Sequence, residues 1–335
     1  MPNHGSEAPS GELDWLPYPE SAAQRTRWIT RLRPERALTN FEQPVAMFVE
    51  NERNATGQIE PVLTVILTSR ECGWHCLMCD LWKHTATSTP PVGSIPSQIE
   101  HALLQFPGIK SIKLYNSGSF FDPKAIAPQE DRRIAELLNG FSRVIVESHP
   151  RLVGERARRF RDQLAGQLEI AVGLETVDEP TLEKLNKRVT LADFEKMALW
   201  MQAERIDLRT FIVVRAPFQT EESGASWACR SIDFAFDNLG ATVASLIPTR
   251  GGNGALEALS QQGLFSPPRL ETLEAVTAYG VQRGGGRVFA DLWNLDSLAV
   301  CPACFPARRN RLEIINHTQR IPEGIPCSHC SLPSS

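Results

Sequence analysis

Two groups of cysteines carry the chemistry this sequence can do. The first, Cys72, Cys76 and Cys79, is set at C-x3-C-x2-C in Glu71-Cys72-Gly73-Trp74-His75-Cys76-Leu77-Met78-Cys79-Asp80. Thiolate is the soft ligand that iron–sulfur clusters select, and three on one tight loop can hold three irons of a [4Fe–4S] cubane. The fourth iron is then left open to an external chelating molecule. The competing reading is a three-cysteine zinc loop completed by a distant fourth ligand. The second group is Cys301-Pro302-Ala303-Cys304 and Cys327-Ser328-His329-Cys330, two C-x2-C pairs separated by 22 residues. Four thiolates so spaced make a closed tetrahedral Zn2+ site or hold a second Fe–S cluster. We expect zinc in a ribbon-like module, because Leu312, Ile314, Ile315, Ile321 and Ile325 give the insert few apolar groups and a closed ion would supply folding energy. Such a ribbon would present Arg308, Arg309 and Arg311 to phosphate. The eighth cysteine, Cys229, stands alone in an expected helix and reads as a buried, inert thiol.

The rest of the chain must position these groups. With 335 residues, 42% apolar and 22% charged, it has the material for one large α/β domain or for one domain with an appended module. No apolar run approaches the ~18 residues of a membrane span. The start, Met1-Pro2-Asn3-His4-Gly5-Ser6-Glu7, lacks the regions of a signal peptide. We therefore expect a cytoplasmic protein with reduced thiols and no membrane partner. The net charge of −4 argues against a uniformly basic nucleic-acid binder. It leaves three local arginine groups, Arg25 to Arg36, Arg151 to Arg161 and Arg308 to Arg311, each a phosphate track or a solvated face.

From Pro61 onward apolar strands alternate with helical stretches, the pattern of a parallel α/β sheet. Strands are expected at 62–68, 111–115, 143–147, 168–174, 207–214 and 242–247, and helices at 97–106, 128–139, 154–164, 191–204 and 224–239. Thr190 with Asp193 reads as a capping box for the long fourth helix. Six strands are too few for a closed (β/α)8 barrel, so the expected fold is an α/β partial (β/α)6 barrel with its chemistry at the C-terminal strand ends. A helix near 268–282 precedes a further candidate strand at 287–292. The expected layout is an irregular, proline-rich N-terminal extension over 1–58, the barrel over 59–255, and a C-terminal extension with the four-cysteine module over 256–335. Within the first part, Val45 to Val49 reads as an edge strand and Asp14 to Tyr18 as a segment docking on the barrel.

Each strand end carries something unusual. After the second comes Tyr115-Asn116-Ser117-Gly118-Ser119-Phe120-Phe121-Asp122-Pro123, whose small residues let backbone approach a ligand. The third and fourth end in Val146-Glu147-Ser148-His149-Pro150 and Gly173-Leu174-Glu175-Thr176, followed by Asn186-Lys187. An unpaired buried carboxylate is costly, so Glu147 and Glu175 either bind a ligand or pair with lysine or arginine. Thr249-Arg250-Gly251-Gly252-Asn253-Gly254 reads as a plain loop or as a phosphate-admitting one.

The triplet after a first strand resembles the radical S-adenosylmethionine (SAM) superfamily, with Met78 where an aromatic residue is frequent. In order and spacing, the strand-end motifs with Ala216-Pro217-Phe218-Gln219-Thr220-Glu221 resemble the radical subunit of archaeosine synthase and its uncharacterised relatives. That group lies in the Elongator/coproporphyrinogen-oxidase-like branch, and the resemblance covers residues 60–300. It implies a [4Fe–4S] cluster on Cys72, Cys76 and Cys79, SAM on its open iron, and reductive cleavage to a 5′-deoxyadenosyl radical. It further implies that Ser117, Gly118, Glu147, Glu175 and Lys187 contact SAM, and that a reductase, ferredoxin or flavodoxin donates electrons. A lyase- or transferase-type reaction on a 7-deazaguanine-type nucleobase in tRNA, with C–N cleavage and a partner subunit, follows as the expected activity. Arg188 stands where that family often has glycine. The alternatives are a radical enzyme acting on a small-molecule metabolite, and an inactive RNA-binding barrel with a zinc ribbon.

Overall fold

The fold was analysed in a computed structural model, which describes residues 17–330. Eight strands form one sheet in chain order: β1 (Ala46–Arg53), β2 (Ile59–Ile66), β3 (Ser111–Tyr115), β4 (Arg143–Glu147), β5 (Gln167–Glu175), β6 (Asp207–Val214), β7 (Val243–Pro248) and β8 (Arg287–Ala290). β1 is antiparallel to β2, and every later pair is parallel. The six expected strands are the middle of this sheet, curled as a half-barrel, and the two further candidates are its edges.

The helices are α1 (Ala22–Arg31), α2 (Ser94–Gln105), α3 (Asp131–Leu137), α4 (Glu155–Arg161), α5 (Glu179–Lys184), α6 (Leu191–Ala203), α7 (Glu221–Asp237), α8 (Ala255–Gln261), α9 (Leu270–Arg283) and α10 (Phe305–Thr318). α6 begins at the reciprocal Thr190–Asp193 cap. Strand residues alternate between two environments. Ile112, Leu114, Val144 and Val146 join the main core between sheet and helices, whereas Lys113 and Tyr115 face the lumen.

The lumen floor is ionic. Glu52 bonds Arg209 (2.7 Å), Lys113 (2.6 Å) and Arg143 (3.0 Å), and Glu169 pairs with Arg209 on the far side. Burial opposes the charge of Glu52, yet Arg209 and Lys113 hold its carboxyl well below the usual range. Such a set is stable only when every member is paired. Above it lies a cavity of about 490 Å³ walled by Tyr115, Phe211, Phe289 and Trp293.

Two segments differ from expectation. The stretch read as irregular contains α1, capped by Ser21, which buries Trp28 and Ile29. Proline-rich flanks hid a helix short enough that only tertiary packing stabilises it. Between the C-terminal cysteine pairs stands α10, not a β-ribbon. Tyr18 docks as expected, donating to the Lys184 carbonyl at 2.5 Å and packing against Trp28 and Phe218. Asp14, Trp15 and Leu16 of that segment lie outside the described residues.

Candidate functional site

The cysteine triplet lies on the loop after β2, and distant residues hold that loop by its carbonyls. Asn253 donates to Leu77 (2.7 Å) and Cys79 (3.3 Å), while its own Oδ1 accepts the Leu256 N–H at the start of α8. Asn186 donates to the His75 carbonyl (3.1 Å), and the Leu77 N–H donates to Leu185 (2.9 Å). Glu71, just before the triplet, binds both Arg33 and Arg36, so the segment after α1 is tied to the loop. Leu77 is buried beside Trp28, Ile29 and Leu185 in a second apolar cluster. Trp74 stacks on His149, with ring centres 3.7 Å apart and planes at 15°. His149 Nδ1 accepts from the Arg151 N–H, so Nε2 carries the proton donated to the Lys187 carbonyl. Burial and Lys187 push this imidazole down to about 3, so it is neutral.

Burial raises all three thiols of the triplet, Cys79 to about 12. Cys72 and Cys79 raise Cys76 further, and Lys187 opposes that rise. Desolvated thiols of this kind ionise when a cation arrives. The Trp74 N–H favours the Cys72 thiolate, and the Leu81 and Trp82 N–H groups favour that of Cys79. Three soft donors, with backbone dipoles already aimed at two of them, fit an iron–sulfur cluster.

The five expected SAM-contact residues gather around this loop. Gly118 passes so close that a Cβ there would lie 3.4 Å from the Cys72 Cβ. Ser117 takes φ 56°, in the left-handed region. Glu147 Oε1 accepts the N–H groups of Asn116 (2.6 Å) and Gly118 (3.2 Å), so it braces the Ser117–Gly118 turn. Burial lifts its carboxyl to about 7 against those N–H groups. Glu175 pairs with Lys187 at 2.6 Å, and both are buried. Gly173 makes room for that pair, since a Cβ would meet Glu175 Oε1 at 2.1 Å. Among the described residues Asn116 Oδ1 is buried without a partner, an acceptor that a bound ammonium or hydroxyl would satisfy.

Several of these residues carried no legible signal. Asn253, His149 and Glu71 act through contacts across large sequence separations, and although each stands in or beside a motif, its own role is not written there. In the loop of Asn253, Glu257 accepts the N–H groups of Gly252 and Gly254, so the amides a phosphate would need are taken. The phosphate-admitting reading of residues 249–254 is therefore corrected.

At the C-terminus, the sulfurs of Cys301, Cys304, Cys327 and Cys330 all lie within 4.8 Å of one another. The pairs Cys301–Cys327 and Cys304–Cys330 are 3.8 and 3.6 Å apart. Among the described residues this is the one cysteine group so converged. The neighbouring arginines turn inward: Arg308 and Arg311 both pair with Glu274, and Arg311 also donates to the Pro322 and Glu323 carbonyls. Their expected presentation to phosphate is corrected, while Arg309 is exposed. The other arginine groups are largely spent in the same way, on Glu183 (Arg25), Glu71 (Arg33 and Arg36), Asp131 (Arg156) and Glu204 (Arg161). Cys229 is half-buried on α7, its thiol pushed up to about 11 by burial. No described helix is long and apolar enough to cross a membrane.

No protein-family model matches the chain. Over 221 residues, 62% of its length, it is 28% identical to archaeosine synthase subunit beta of Methanosarcina acetivorans, covering 63% of that protein. It is 27% identical over 200 residues to the same-named subunit of Thermococcus kodakarensis, covering 54% of this chain and 60% of the relative. An uncharacterised protein of Methanocaldococcus jannaschii is 24% identical over 252 residues, 70% of this chain and 69% of that one. The chain thus spans less than two thirds of the named archaeosine synthase subunits. Among solved structures, Elp3 of Methanocaldococcus infernus aligns with TM-score 0.46 and 15% identity, over 59% of this chain and 51% of that one. Coproporphyrinogen III oxidase of Escherichia coli aligns with TM-score 0.41 and 17% identity, over 56% and 44%. The chain is thus similar in sequence to two proteins named archaeosine synthase subunit beta, the group that its strand-end motifs resemble.

Proposed function

We propose that the chain is a radical SAM enzyme acting on a modified nucleobase of the 7-deazaguanine type, by C–N bond cleavage, as a lyase or transferase. The observation that supports this most is the triplet of desolvated thiols on a loop already tied down by Asn186, Asn253 and Glu71, beside the buried Glu175–Lys187 pair. A [4Fe–4S] cluster on Cys72, Cys76 and Cys79 would supply the electron that cleaves SAM to the 5′-deoxyadenosyl radical. The chain's own residues hold and orient. Glu147 keeps the Ser117–Gly118 turn in its strained backbone shape, Asn116 Oδ1 offers an acceptor, and Lys187 and Glu175 present opposite charges to the two ends of an amino acid. The aromatic-walled lumen of about 490 Å³ is of ordinary ligand-pocket size and suits one base. A reductase, ferredoxin or flavodoxin would donate the electron. Since the named relatives are subunits, a partner subunit belongs to the proposal. The pairing of the arginine groups favours, as a second reading, a small-molecule base over one presented in tRNA.

At the C-terminal cysteines we propose one zinc ion. A Zn–S length of about 2.3 Å sets tetrahedral sulfurs about 3.8 Å apart, as in the two close pairs. A cubane sets its thiolates on separate irons, further apart than this group converges.

Three measurements test the reading. Anaerobically reconstituted protein should release 5′-deoxyadenosine from SAM under reduction, and its absence at full cluster content would remove the radical assignment. Lys187→Ala and Glu175→Ala should each weaken SAM binding by about 1.5–3 kcal/mol with cluster content unchanged. Comparing tRNA nucleosides and free bases from cells with and without the protein distinguishes the two substrates.

A further inference from the structure

The curled sheet does not close on itself, and α10 fills the gap, bonding the backbone of β8 through side chains and accepting a side-chain bond from β1. Among the described residues no strand neighbours the outward edge of β8, yet the peptide groups of Val288 and Ala290 there are satisfied. Asn316 accepts the Ala290 N–H and donates to the Ala290 carbonyl, both at 2.8 Å. Gln319 does the same for Val288, at 2.7 and 2.8 Å. Two side-chain amides, one helical turn apart, thus imitate the ladder of a missing strand. On the other edge, Arg53 of β1 donates to the His317 carbonyl (3.2 Å), and Arg287 of β8 donates to the Arg53 carbonyl (2.9 Å). Glu313, Asn316 and His317 consequently line the lumen cavity opposite Lys113 and Tyr115.

The converging cysteines bracket this helix. Cys301 and Cys304 immediately precede α10, and Cys327 and Cys330 follow a segment that turns back at Gln319 (φ 51°) and is held to the helix by Arg311. An ion on the four sulfurs closes residues 301–330 into a loop containing α10.

We infer that the ion at Cys301, Cys304, Cys327 and Cys330 is the clamp that keeps α10 seated as a wall of the lumen chamber, with Glu313 and His317 facing what the chamber admits. The shape of the chamber is then set from a metal site outside the sheet. This rests on the zinc reading above, and the test separates the two.

Full-length protein carrying its cluster is assayed for zinc and iron and then followed by hydrogen exchange, read by mass spectrometry on peptides covering 287–290. Loss of the ion in a Cys327→Ser/Cys330→Ser variant should accelerate exchange at Val288 and Ala290 on the order of tenfold, with peptides of β4 and β5 unchanged. Asn316→Ala/Gln319→Ala should give the same acceleration with the ion retained. If the ion is lost and these amides exchange as before, the clamp is overturned while the metal site stands. If Asn316→Ala/Gln319→Ala leaves their exchange unchanged, the helix is not the wall and the inference also fails. Wild-type protein free of any ion at these cysteines would remove the metal reading and the clamp together.

Discussion

The two cysteine groups are built on opposite plans. Around Cys72, Cys76 and Cys79 the loop is held by Asn253, Asn186, Leu185 and the Glu71 ion pairs. The loop is fixed by contacts that use none of its thiols, and it offers three of them. Around Cys301, Cys304, Cys327 and Cys330 four sulfurs converge at the surface, and the segments that carry them have few other contacts of regular structure beyond α10. A site meant to react needs an open position on a rigid frame, and a site meant to staple needs the reverse.

The largest expected effect tests the open side of this contrast. Cys76→Ala should abolish 5′-deoxyadenosine formation and deplete iron while zinc stays at about one per chain, because three thiolates are the minimum for a site-differentiated cubane. Retained turnover in that variant would erase the distinction between the groups. Next comes Cys301→Ala/Cys304→Ala, which should keep the cluster's absorption but lose zinc and unfold several degrees lower in a thermal scan. Loss of half the iron absorption instead would make the C-terminal group a second cluster.

Smaller effects sharpen the claim that the triplet loop is prebuilt. Asn253→Ala strips the Leu77 and Cys79 carbonyls of their donor and should cost about 1–3 kcal/mol in urea unfolding of protein without its cluster. A cost that emerges only after cluster loading would mean that the metal organises the loop. The smallest is a pH effect at Glu147, whose carboxyl burial raises from 4.5 to about 7. Its stabilising contribution is complete below pH 4.5 and lost as pH rises through about 7, because folding disfavours the charged form. Wild-type protein should therefore lose about 1–3 kcal/mol relative to Glu147→Gln between pH 5 and 8. Parallel curves for the two proteins would show that Glu147 meets solvent or a cation.

Much of this was legible from local pattern. Apolar runs such as Pro61 to Thr68 mark strands buried on both faces, and the Thr190–Asp193 spacing marks a helix start. Cysteine spacing announces metal chemistry because its ligands lie a few residues apart. Helices α1 and α10 were not legible. Their stability comes from partners far along the chain: Trp28 is buried with Leu77 and Leu185, and Arg311 bonds Glu274. The arginine groups misled for a related reason, since their countercharges Glu71, Glu183 and Glu274 sit on other elements.

By itself, the sequence determined the parallel α/β order, the superfamily resemblance and the convergence of the two C-terminal C-x2-C pairs, because each of these is written in pattern and spacing along the chain. Only the tertiary structure decided that Glu175 meets Lys187, that Asn253 grips the cysteine loop, and that α10 stands in for a missing strand. Those are contacts between residues brought together by chain folding, and no periodicity along the chain encodes the direction in which a distant amide will point.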